Sequence, residues 1–332
     1  MRFLIFGAGA IGSYLGGSLL LQQHEVVFIE RAQEAQILRQ QGLRMQIGQK
    51  THHIPNPSIV TSIQEAIERE EYDTALFALK AYDTQSALKE MAAFTEYLPP
   101  LLCLQNGVEN EAALAQILGA ENVIAGTVTS SIGRKGVGDI ILERERGLGI
   151  AAGHKISQNL VNTFLASGIK AQLYVNALAM KWSKMLTNLL ANASSAIYNL
   201  SPREILADKE LYFQEVKQIR EALQVMAAQN IPVVNLPSTP VKLLAWLMEK
   251  VPPTLSQPLA QQFIGKGRGN KMPSFHIDLH SGRGKSEVSY LNGAVVRFGE
   301  QFGIPTPVNR FFNYTLLSLT QRDIPLEKYW KN

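Results

Sequence analysis

Short apolar runs alternate with helical patterns along the first half of the chain. Runs of β-prone residues predict strands at 2–6, 25–30, 73–80 and 101–107. Helical patterns follow the first run, from Ser13 to about Gln22, and the third, from about Asp83 to Phe94. This alternation predicts βα units around a parallel sheet.

The pattern changes over residues 126–153, where short β-prone runs are interrupted by many glycines. Such runs predict hairpins, which we expect to extend the sheet at one edge. A helix from about Ser157 to Ser167 and the run KAQLYV at 170–175 would complete a Rossmann-type α/β domain over residues 1–176.

Helical patterns dominate the second half of the chain, where strand signals fade. Breaks fall at Ser201-Pro202, Ile231-Pro232 and Pro252-Pro253, and in a glycine-rich basic loop at 265–271. We therefore expect an all-α domain over residues 177–332.

The first 21 residues carry one charged side chain, Arg2, and resemble a signal peptide or a membrane anchor. Five glycines, at positions 7, 9, 12, 16 and 17, argue against that interpretation. They would weaken a lone helix, whereas a strand, a tight turn and a closely packed helix need small residues there. We expect no membrane association.

The segment GAGAIG at 7–12 has the spacing G-x-G-x-x-G and lies between a predicted strand and a predicted helix. Gly7 permits the tight turn, Gly9 lets the backbone approach a pyrophosphate, and Gly12 lets the helix pack on the strand. Ala10 and Ile11 complete the loop, and the N–H groups of the helix N-terminus attract phosphate. The segment predicts a dinucleotide site.

The end of the second predicted strand bears on the choice between NAD and NADP. Glu30 favours the ribose hydroxyls of NAD, whereas Arg31 suits the 2′-phosphate of NADP. We expect NADP(H) as the cofactor, with NAD possible because of Glu30.

Two polar residues, Lys80 and Asn106, follow predicted strands. Ligands of open α/β sheets bind beyond the C-terminal ends of the strands, so both residues could face the cofactor. The alternatives are a solvated strand end at Lys80 and a simple turn at Asn106-Gly107.

A polar stripe runs along a predicted helix that has no charged residue from Met185 through Pro202. Lys184, Asn188 and Asn192 recur every four residues and would share one face. Asparagine is a poor helix former and a buried amide needs partners, so the stripe suits a helix that lines a polar cleft. Alternatively, the asparagines bond to neighbouring backbone or lie at a subunit contact.

A second polar cluster, at 273–293, contains hydroxyl, imidazole and carboxylate groups: Ser274, His276, Asp278, His280 and Glu287. Three of them, His276, Asp278 and His280, alternate as on a strand. Further ligands at typical spacing are missing, so we expect no metal site. Glu287 precedes a helical pattern, where a carboxylate also complements the helix dipole.

Composition narrows the classes of function. A chain of 332 residues with 46% hydrophobic residues can form two medium-sized domains. A net charge of +4 is too weak to indicate nucleic-acid binding, and the basic loop at 265–271 adds little to that case. The single cysteine, Cys103, lies in the apolar run LLCL, which predicts a buried thiol and a reducing, cytoplasmic compartment.

Four blocks of the sequence together resemble the ketopantoate reductases, also called 2-dehydropantoate 2-reductases. The blocks are GAGAIG at 7–12, the strand ends with Lys80 and QNG at 105–107, KWSKMLTNLLANASSAIYN at 181–199, and SEVSYLNG at 286–293 with GIPTPVN at 303–309. They follow the family's order along nearly the whole chain. The resemblance implies a Rossmann-type domain followed by an all-α domain like the C-terminal domain of 6-phosphogluconate dehydrogenase.

The resemblance also implies a reaction and residue roles. Lys184 matches the family's catalytic lysine and general acid, and Glu287 matches its catalytic-site glutamate. Positions that hold the substrate are matched by Asn188, Asn192 and Ser274, and positions near the nicotinamide by Lys80 and Asn106. The implied reaction is reduction of 2-dehydropantoate to (R)-pantoate by NADPH, in pantothenate biosynthesis.

Three features depart from the family's pattern. Glu30 stands where a small residue is usual. The region 231–273 is longer, with the extra stretch VKLLAWLMEK and the loop GKGRGNK. Residues 274–287 carry an additional residue and the unusual pair His276 and His280. They leave open a related reductase for another small 2-oxo acid. The alternative from another class is a cofactor-sensing protein without turnover, against which Lys184 argues. A homodimer is a possible assembly.

Overall fold

The computed structural model of the chain describes residues 1–262, 271–282 and 284–330. The chain forms two compact units. The first comprises Met1–Gln105, Glu109–Lys181 and Leu236–Thr239, and the second comprises Asn106–Val108, Trp182–Asn235 and Pro240–Asn332. The boundary between Lys181 and Trp182 falls inside one helix, Ala177–Leu189.

The first unit alternates strands and helices. Its strands are β1 (Arg2–Phe6), β2 (Glu25–Ile29), β3 (Leu43–Ile47), β4 (Lys50–Ile54), β5 (Ser58–Val60), β6 (Thr74–Phe77), β7 (Leu101–Cys103), β8 (Val123–Val128), β9 (Ser131–Gly136), β10 (Asp139–Arg144), β11 (Leu148–Ala151) and β12 (Ala171–Tyr174). Its helices are α1 (Ala10–Leu21), α2 (Ala32–Gln41), α3 (Ile63–Arg69), α4 (Thr84–Met91), α5 (Asn110–Leu118) and α6 (Ser157–Ala166).

An eight-stranded sheet has the strand order β12-β11-β8-β7-β6-β1-β2-β5. From β5 to β8 in this order the neighbours pair in parallel, while β11 pairs antiparallel to β8 and parallel to β12. The predicted parallel α/β domain is confirmed. Cys103 lies in β7 and is buried, as its apolar surroundings predict.

The prediction for residues 126–153 is confirmed only in part. Strand β11 does extend the main sheet, but the β9–β10 hairpin joins β3 and β4 in a separate sheet of order β4-β3-β10-β9. In that sheet Ile140 pairs with Met45, and both side chains are buried in the core that includes Leu15 and Leu19 of α1. Burial of these apolar side chains against α1 explains why the hairpin leaves the main sheet.

Helix α1 contacts both sheets, and glycines make this possible. A Cβ atom at Gly16 would lie 2.6 Å from the side chains of Ile5 and Phe28, and one at Gly17 would collide with the sulfur of Met45. A helix packed on opposite sides reads as apolar all round, which is why this segment resembles a membrane anchor. Among the described residues, no helix combines the length and apolar character needed to cross a bilayer.

The second unit is built from helices and short 3₁₀ turns in its described residues, which confirms the predicted all-α domain. Its helices are α7 (Ala177–Leu189, from Trp182 onward), α8 (Ala193–Tyr198), α9 (Pro202–Ala207), α10 (Lys209–Ala228), α11 (Val241–Lys250), α12 (Pro253–Ala260), α13 (Ser274–His280), α14 (Asn292–Phe302) and α15 (Pro307–Gln321). Ser201 and Glu204 form a capping box at the start of α9, and Pro202 and Pro253 occupy first turns.

Helix α10 packs against α9, α11, α12, α14 and α15 and carries buried polar side chains. The Glu221 carboxylate accepts the N–H groups of Val308 and Asn309, each at 2.9 Å, and so caps the first turn of α15. Gln218 Oε1 accepts Asn292 Nδ2 of α14 at 3.1 Å. Hydrogen bonds as well as apolar contacts therefore fix the neighbours of α10.

We expect the substitution Gly12→Ala to destabilise the protein by about 1–3 kcal/mol or more, because the new Cβ would collide with the carbonyl oxygen of Gly7. Urea denaturation followed by circular dichroism would measure this change. Gly136→Ala is the matched control, since a Cβ there meets no atom within 4 Å and should change stability by less than about 0.5 kcal/mol. Equal midpoints for the two variants would contradict the proposed packing.

Candidate active site

The glycine loop forms the turn from β1 to α1. Gly7 has φ +92°, a conformation that favours glycine, and its N–H donates to the carbonyl of Ile29 at 3.1 Å. Gly9 is the N-cap of α1 without a side-chain cap bond, and a Cβ there would meet no atom within 4 Å. Ala10 and Ile11 form the first turn of the helix. The loop thus has the open space and N-terminal N–H groups that a pyrophosphate needs, although binding itself stays a prediction.

Two neighbouring charged residues follow β2. Glu30 Oε1 accepts the N–H of Ala8 at 2.6 Å, and Oε2 accepts the N–H of Arg31 at 3.1 Å. Burial raises the pKa of Glu30, and these two backbone hydrogen bonds oppose that shift. The Arg31 side chain is 70% exposed and lies 3.3 Å from Asp83 Oδ2. A carboxylate therefore borders the glycine loop, and a guanidinium group beside it is accessible to solvent.

Lys80 and Asn106 both follow strands of the main sheet, as predicted. Lys80 is half-buried, after β6, and directly precedes a 3₁₀ turn, Ala81–Asp83. Asn106 follows β7 but belongs to the second unit, where its Oδ1 accepts Asn188 Nδ2 at 2.9 Å. The structure thus brings two predicted site residues, Asn106 and Asn188, into direct contact.

A buried lysine that the sequence analysis did not single out lies just before Lys184 on α7. Lys181 Nζ donates to the carbonyl of Gln105 at 2.6 Å and to that of Gly126 at 3.3 Å, and pairs with Glu111 Oε1 at 2.6 Å. Burial acts to lower the pKa of Lys181, but the charge and hydrogen bond of Glu111 together with the charge of Cys103 raise it overall. The sequence signal that could have indicated this buried lysine was its position among apolar residues in a helix.

The Lys181 contacts hold the backbone next to a predicted site residue. Gln105, whose carbonyl accepts from Lys181, directly precedes Asn106 in the chain. The Gln105 side chain is fixed as well, because its Nε2 donates to the carbonyl of Leu79 at 3.1 Å and to Thr84 Oγ1 at 2.9 Å. These bonds restrict the conformations open to the chain where it reaches Asn106.

The prediction of one polar face for Lys184, Asn188 and Asn192 is wrong for Asn192. Helix α7 ends at Leu189, and Ala191 has φ +50°, in the left-handed region. The N–H of Ala191 donates to the buried carboxylate of Glu215 at 2.6 Å, which stabilises the break. Lys184 and Asn188 share α7, whereas Asn192 is the N-cap of α8.

Asn192 instead connects α8 to the start of α13. Its Oδ1 accepts the N–H of Phe275 at 3.1 Å, and its Nδ2 lies 3.5 Å from Ser274 Oγ. Asn192 is buried, while Ser274 is exposed. The structure therefore brings together two residues predicted to hold the substrate and leaves the serine hydroxyl accessible.

The prediction that His276, Asp278 and His280 lie on a strand is also wrong, because all three residues lie on α13. His276 Nε2 lies 2.8 Å from Asn199 Oδ1, and the ring centroids of His276 and His280 are 4.2 Å apart. Burial and then the charge of His280 lower the pKa of His276 to about 4, so its ring is neutral at pH 7. The bonding of Asn192 to the first residues of α13 favours a helix here.

No group of three or more His, Cys, Asp or Glu side chains in the described part of the chain is arranged to hold a metal ion. The basic loop at 265–271 lies outside the described residues except for Lys271. The prediction that this loop adds little to a case for nucleic-acid binding therefore stays untested.

The two residues with predicted catalytic roles both belong to the second unit. Lys184 is half-buried on α7, where the neighbouring Trp182 packs edge-on against Phe298 of α14 with ring centroids 5.5 Å apart. Glu287 is 3% exposed and precedes a 3₁₀ turn, Val288–Tyr290, that leads into α14. Lysine and glutamate are residue types that can transfer protons, and the catalytic roles of these two residues stay predictions.

A groove of about 850 Å³ in the first unit is a separate feature. Glu111, His154 and Lys155 are among its lining residues, and the glycine loop, Arg31 and Lys80 are not. This groove therefore does not coincide with the predicted cofactor site, whose case depends on the contacts described above.

Two sequence models of one family match the chain. The model of ketopantoate reductase PanE/ApbA matches residues 3–153, and that of the ketopantoate reductase PanE/ApbA C terminus matches residues 176–319. The chain belongs to the ketopantoate reductase family. As a member of this family it is an oxidoreductase that acts on CH–OH groups, with a nicotinamide dinucleotide, NAD or NADP, as the family's cofactor.

Several ketopantoate reductases are similar over their full length. The 2-dehydropantoate 2-reductase of Archaeoglobus fulgidus is 27% identical over 328 residues, which cover 96% of this chain and 97% of that protein. The enzyme of the same name from Halobacterium salinarum is 25% identical, with 97% and 100% covered.

Solved structures share the fold. The PanE/ApbA family ketopantoate reductase from Ralstonia eutropha JMP134 has a TM-score of 0.81 and 28% identity, with 97% of this chain and 99% of that chain covered. D-mandelate dehydrogenase, solved with NADH and anilino(oxo)acetate, has a TM-score of 0.80 at 21% identity and the same coverage. The second similarity shows the fold alone.

We expect Lys181→Met to destabilise this ketopantoate reductase family member by about 3 kcal/mol, because Glu111 would lose its buried partner. This loss of stability is at the lower end for buried ion pairs, because the Glu111 side chain is 19% exposed to solvent. The free energy of unfolding from urea titration would measure the loss. Lys170→Met is the control: it removes the exposed pair with Glu145 and should cost less than about 1 kcal/mol. A Lys181 variant as stable as this control would contradict a stabilising role.

Proposed function

We propose that the protein reduces 2-dehydropantoate to (R)-pantoate with NADPH, as a step of pantothenate biosynthesis. The observation that carries the proposal is the half-buried Lys184 on the helix that also presents Asn188. Membership of the ketopantoate reductase family and relatives that bear the name of this activity support it.

The proposed chemistry assigns the proton transfer to Lys184. The reduced nicotinamide, when bound, supplies a hydride to the ketone carbon. The carbonyl oxygen then carries the developing negative charge, which the Lys184 ammonium group stabilises and neutralises by donating a proton. One hydride and one proton together convert the C=O group into CH–OH. Glu287, a buried carboxylate, would keep Lys184 charged and oriented.

Substrate binding is proposed for the amide and hydroxyl side chains of the second unit. Asn188, Asn192 and Ser274 can donate to a carboxylate and exchange hydrogen bonds with a hydroxyl group, which are the polar groups of a hydroxylated 2-oxo acid. Asn192 and Ser274 lie within 3.5 Å of each other, so one small molecule can reach both.

Cofactor binding is proposed for residues of the glycine loop and the strand ends: Gly7, Gly9, Ala10, Ile11, Gly12, Arg31, Lys80 and Asn106. The open space at Gly9 and the exposed guanidinium of Arg31 support NADPH, with the phosphates at the loop and the 2′-phosphate at Arg31. The carboxylate of Glu30 favours NADH as a second cofactor, because it lies at the loop and can accept from ribose hydroxyls.

A second candidate function is the reduction of a different small 2-oxo acid. The position of His276 favours it, since this neutral ring lies on α13 together with Ser274. Steady-state assays with 2-dehydropantoate and a panel of 2-oxo acids, each with NADPH and with NADH, would separate the candidates. A higher kcat/KM for another acid than for 2-dehydropantoate would overturn the first proposal.

We expect Lys184→Ala to lower kcat/KM for the oxo acid by roughly 10²–10⁴-fold, as is typical for loss of a general acid. The affinity for NADPH, measured by fluorescence titration, should be retained. Lys217→Ala removes an exposed lysine from α10 of the same unit and should leave both quantities unchanged. Unchanged turnover in the Lys184 variant would refute the assigned mechanism.

We expect Gly9→Val to weaken NADPH binding at least about tenfold, or 1.4 kcal/mol, because the side chain would fill the space proposed for the pyrophosphate. Gly136→Val adds the same side chain to another open position and should bind NADPH normally. Fluorescence titration of both variants measures the difference. Tight NADPH binding by the Gly9 variant would show that the loop has been misinterpreted.

A further inference from the structure

Two charged residues, Glu30 and Arg31, follow β2, and the Arg31 side chain contacts a third, Asp83. Glu30 is anchored to the glycine loop through Ala8, and Arg31 Nη2 lies 3.3 Å from Asp83 Oδ2. Two carboxylates therefore accompany one guanidinium group in this region. Their balance bears directly on a ligand that carries an extra phosphate.

Asp83 is the more firmly placed member of the pair. Its side chain is 18% exposed, against 70% for Arg31. Asp83 ends the 3₁₀ turn Ala81–Asp83 and is the N-cap residue of α4, so its backbone is fixed by two elements. A ligand that approaches Arg31 consequently meets a carboxylate that cannot move far away.

Phosphate and carboxylate groups use the same N–H donors of a guanidinium group. A 2′-phosphate that binds Arg31 must either displace Asp83 from Nη2 or bind next to its negative charge. Both routes weaken NADPH binding. NADH has no 2′-phosphate and is not affected, while its ribose hydroxyls suit Glu30.

We propose that Asp83 is a specificity-determining residue, which lowers the preference for NADPH over NADH by competing with the 2′-phosphate for Arg31. The proposal rests on the proposed function in one respect, since it requires a nicotinamide dinucleotide at the glycine loop. It adds Asp83, at the start of α4, to Glu30 and Arg31, which follow β2.

The variant Asp83→Asn tests the proposal. Asparagine keeps the size of aspartate but removes the charge, and no side-chain cap hydrogen bond is lost because Asp83 makes none to α4. We expect the Kd for NADPH to fall about fivefold, or about 1 kcal/mol, while the Kd for NADH changes less than about twofold. Titrations of the full chain with each cofactor, followed by cofactor fluorescence without any oxo acid, measure both constants.

Two further variants make the result specific. Glu25→Gln removes one negative charge at the opposite end of β2 and should leave the ratio of the two Kd values unchanged. In an Arg31→Ala background, Asp83→Asn should no longer change that ratio, because the shared guanidinium group is gone. An unchanged ratio in the single variant, or an equal effect with and without Arg31, would overturn the proposal.

The test is independent of the substrate. If the unmodified chain binds both cofactors but does not reduce 2-dehydropantoate, the proposed function fails and the Asp83 proposal is still decided by the Kd ratio. If the unmodified chain binds neither NADPH nor NADH, both proposals are overturned. Circular dichroism of each variant confirms that a changed Kd reflects the site and not the loss of the fold.

Discussion

The hydrogen bond from the Ala191 N–H to the Glu215 carboxylate, at 2.6 Å, determines where α7 ends. The left-handed conformation of Ala191 costs roughly 1–2 kcal/mol, and a charge-assisted hydrogen bond contributes roughly 1.5–3 kcal/mol in the opposite direction. Because α7 ends there, Asn188 remains on the helix of Lys184 while Asn192 turns to the start of α13. The proposed substrate-binding residues thus depend on a carboxylate of α10, a helix that carries none of the predicted site residues.

The first unit follows the same principle with different groups. Gly12 lets α1 approach the Gly7 carbonyl, and the buried Lys181 and Gln105 fix the backbone that leads to Asn106. Motif residues supply the space and the donors at the glycine loop. Buried polar residues outside the motifs hold those groups in position, and an unpaired member of such a pair would carry a large desolvation cost.

Local patterns in the sequence predicted the elements whose causes are local. The strands around the glycine loop, the buried Cys103 and the helical second unit were predictable from apolar spacing and from Gly and Pro positions. The separate sheet was not, because β3 pairs with β10, which is distant in the chain, and spacing does not name a partner strand. The break at Ala191 depends on Glu215, 24 residues later, and the polar pattern of α13 suits a strand unless Asn192 is known to bond to its first residues.

A shared fold leaves the substrate open, because enzymes with different substrates can have one backbone arrangement. The substrate must then be selected by side chains, and α13 begins with a proposed substrate-binding residue, Ser274. His276 bonds to Asn199, which ends α8 in a left-handed conformation with φ 55°, while Asn192 begins the same helix. Both ends of α8 therefore hold α13, which fixes the direction in which Ser274 presents its hydroxyl. A substitution at His276 would act on substrate choice through the position of α13, even if the imidazole ring never touches the substrate.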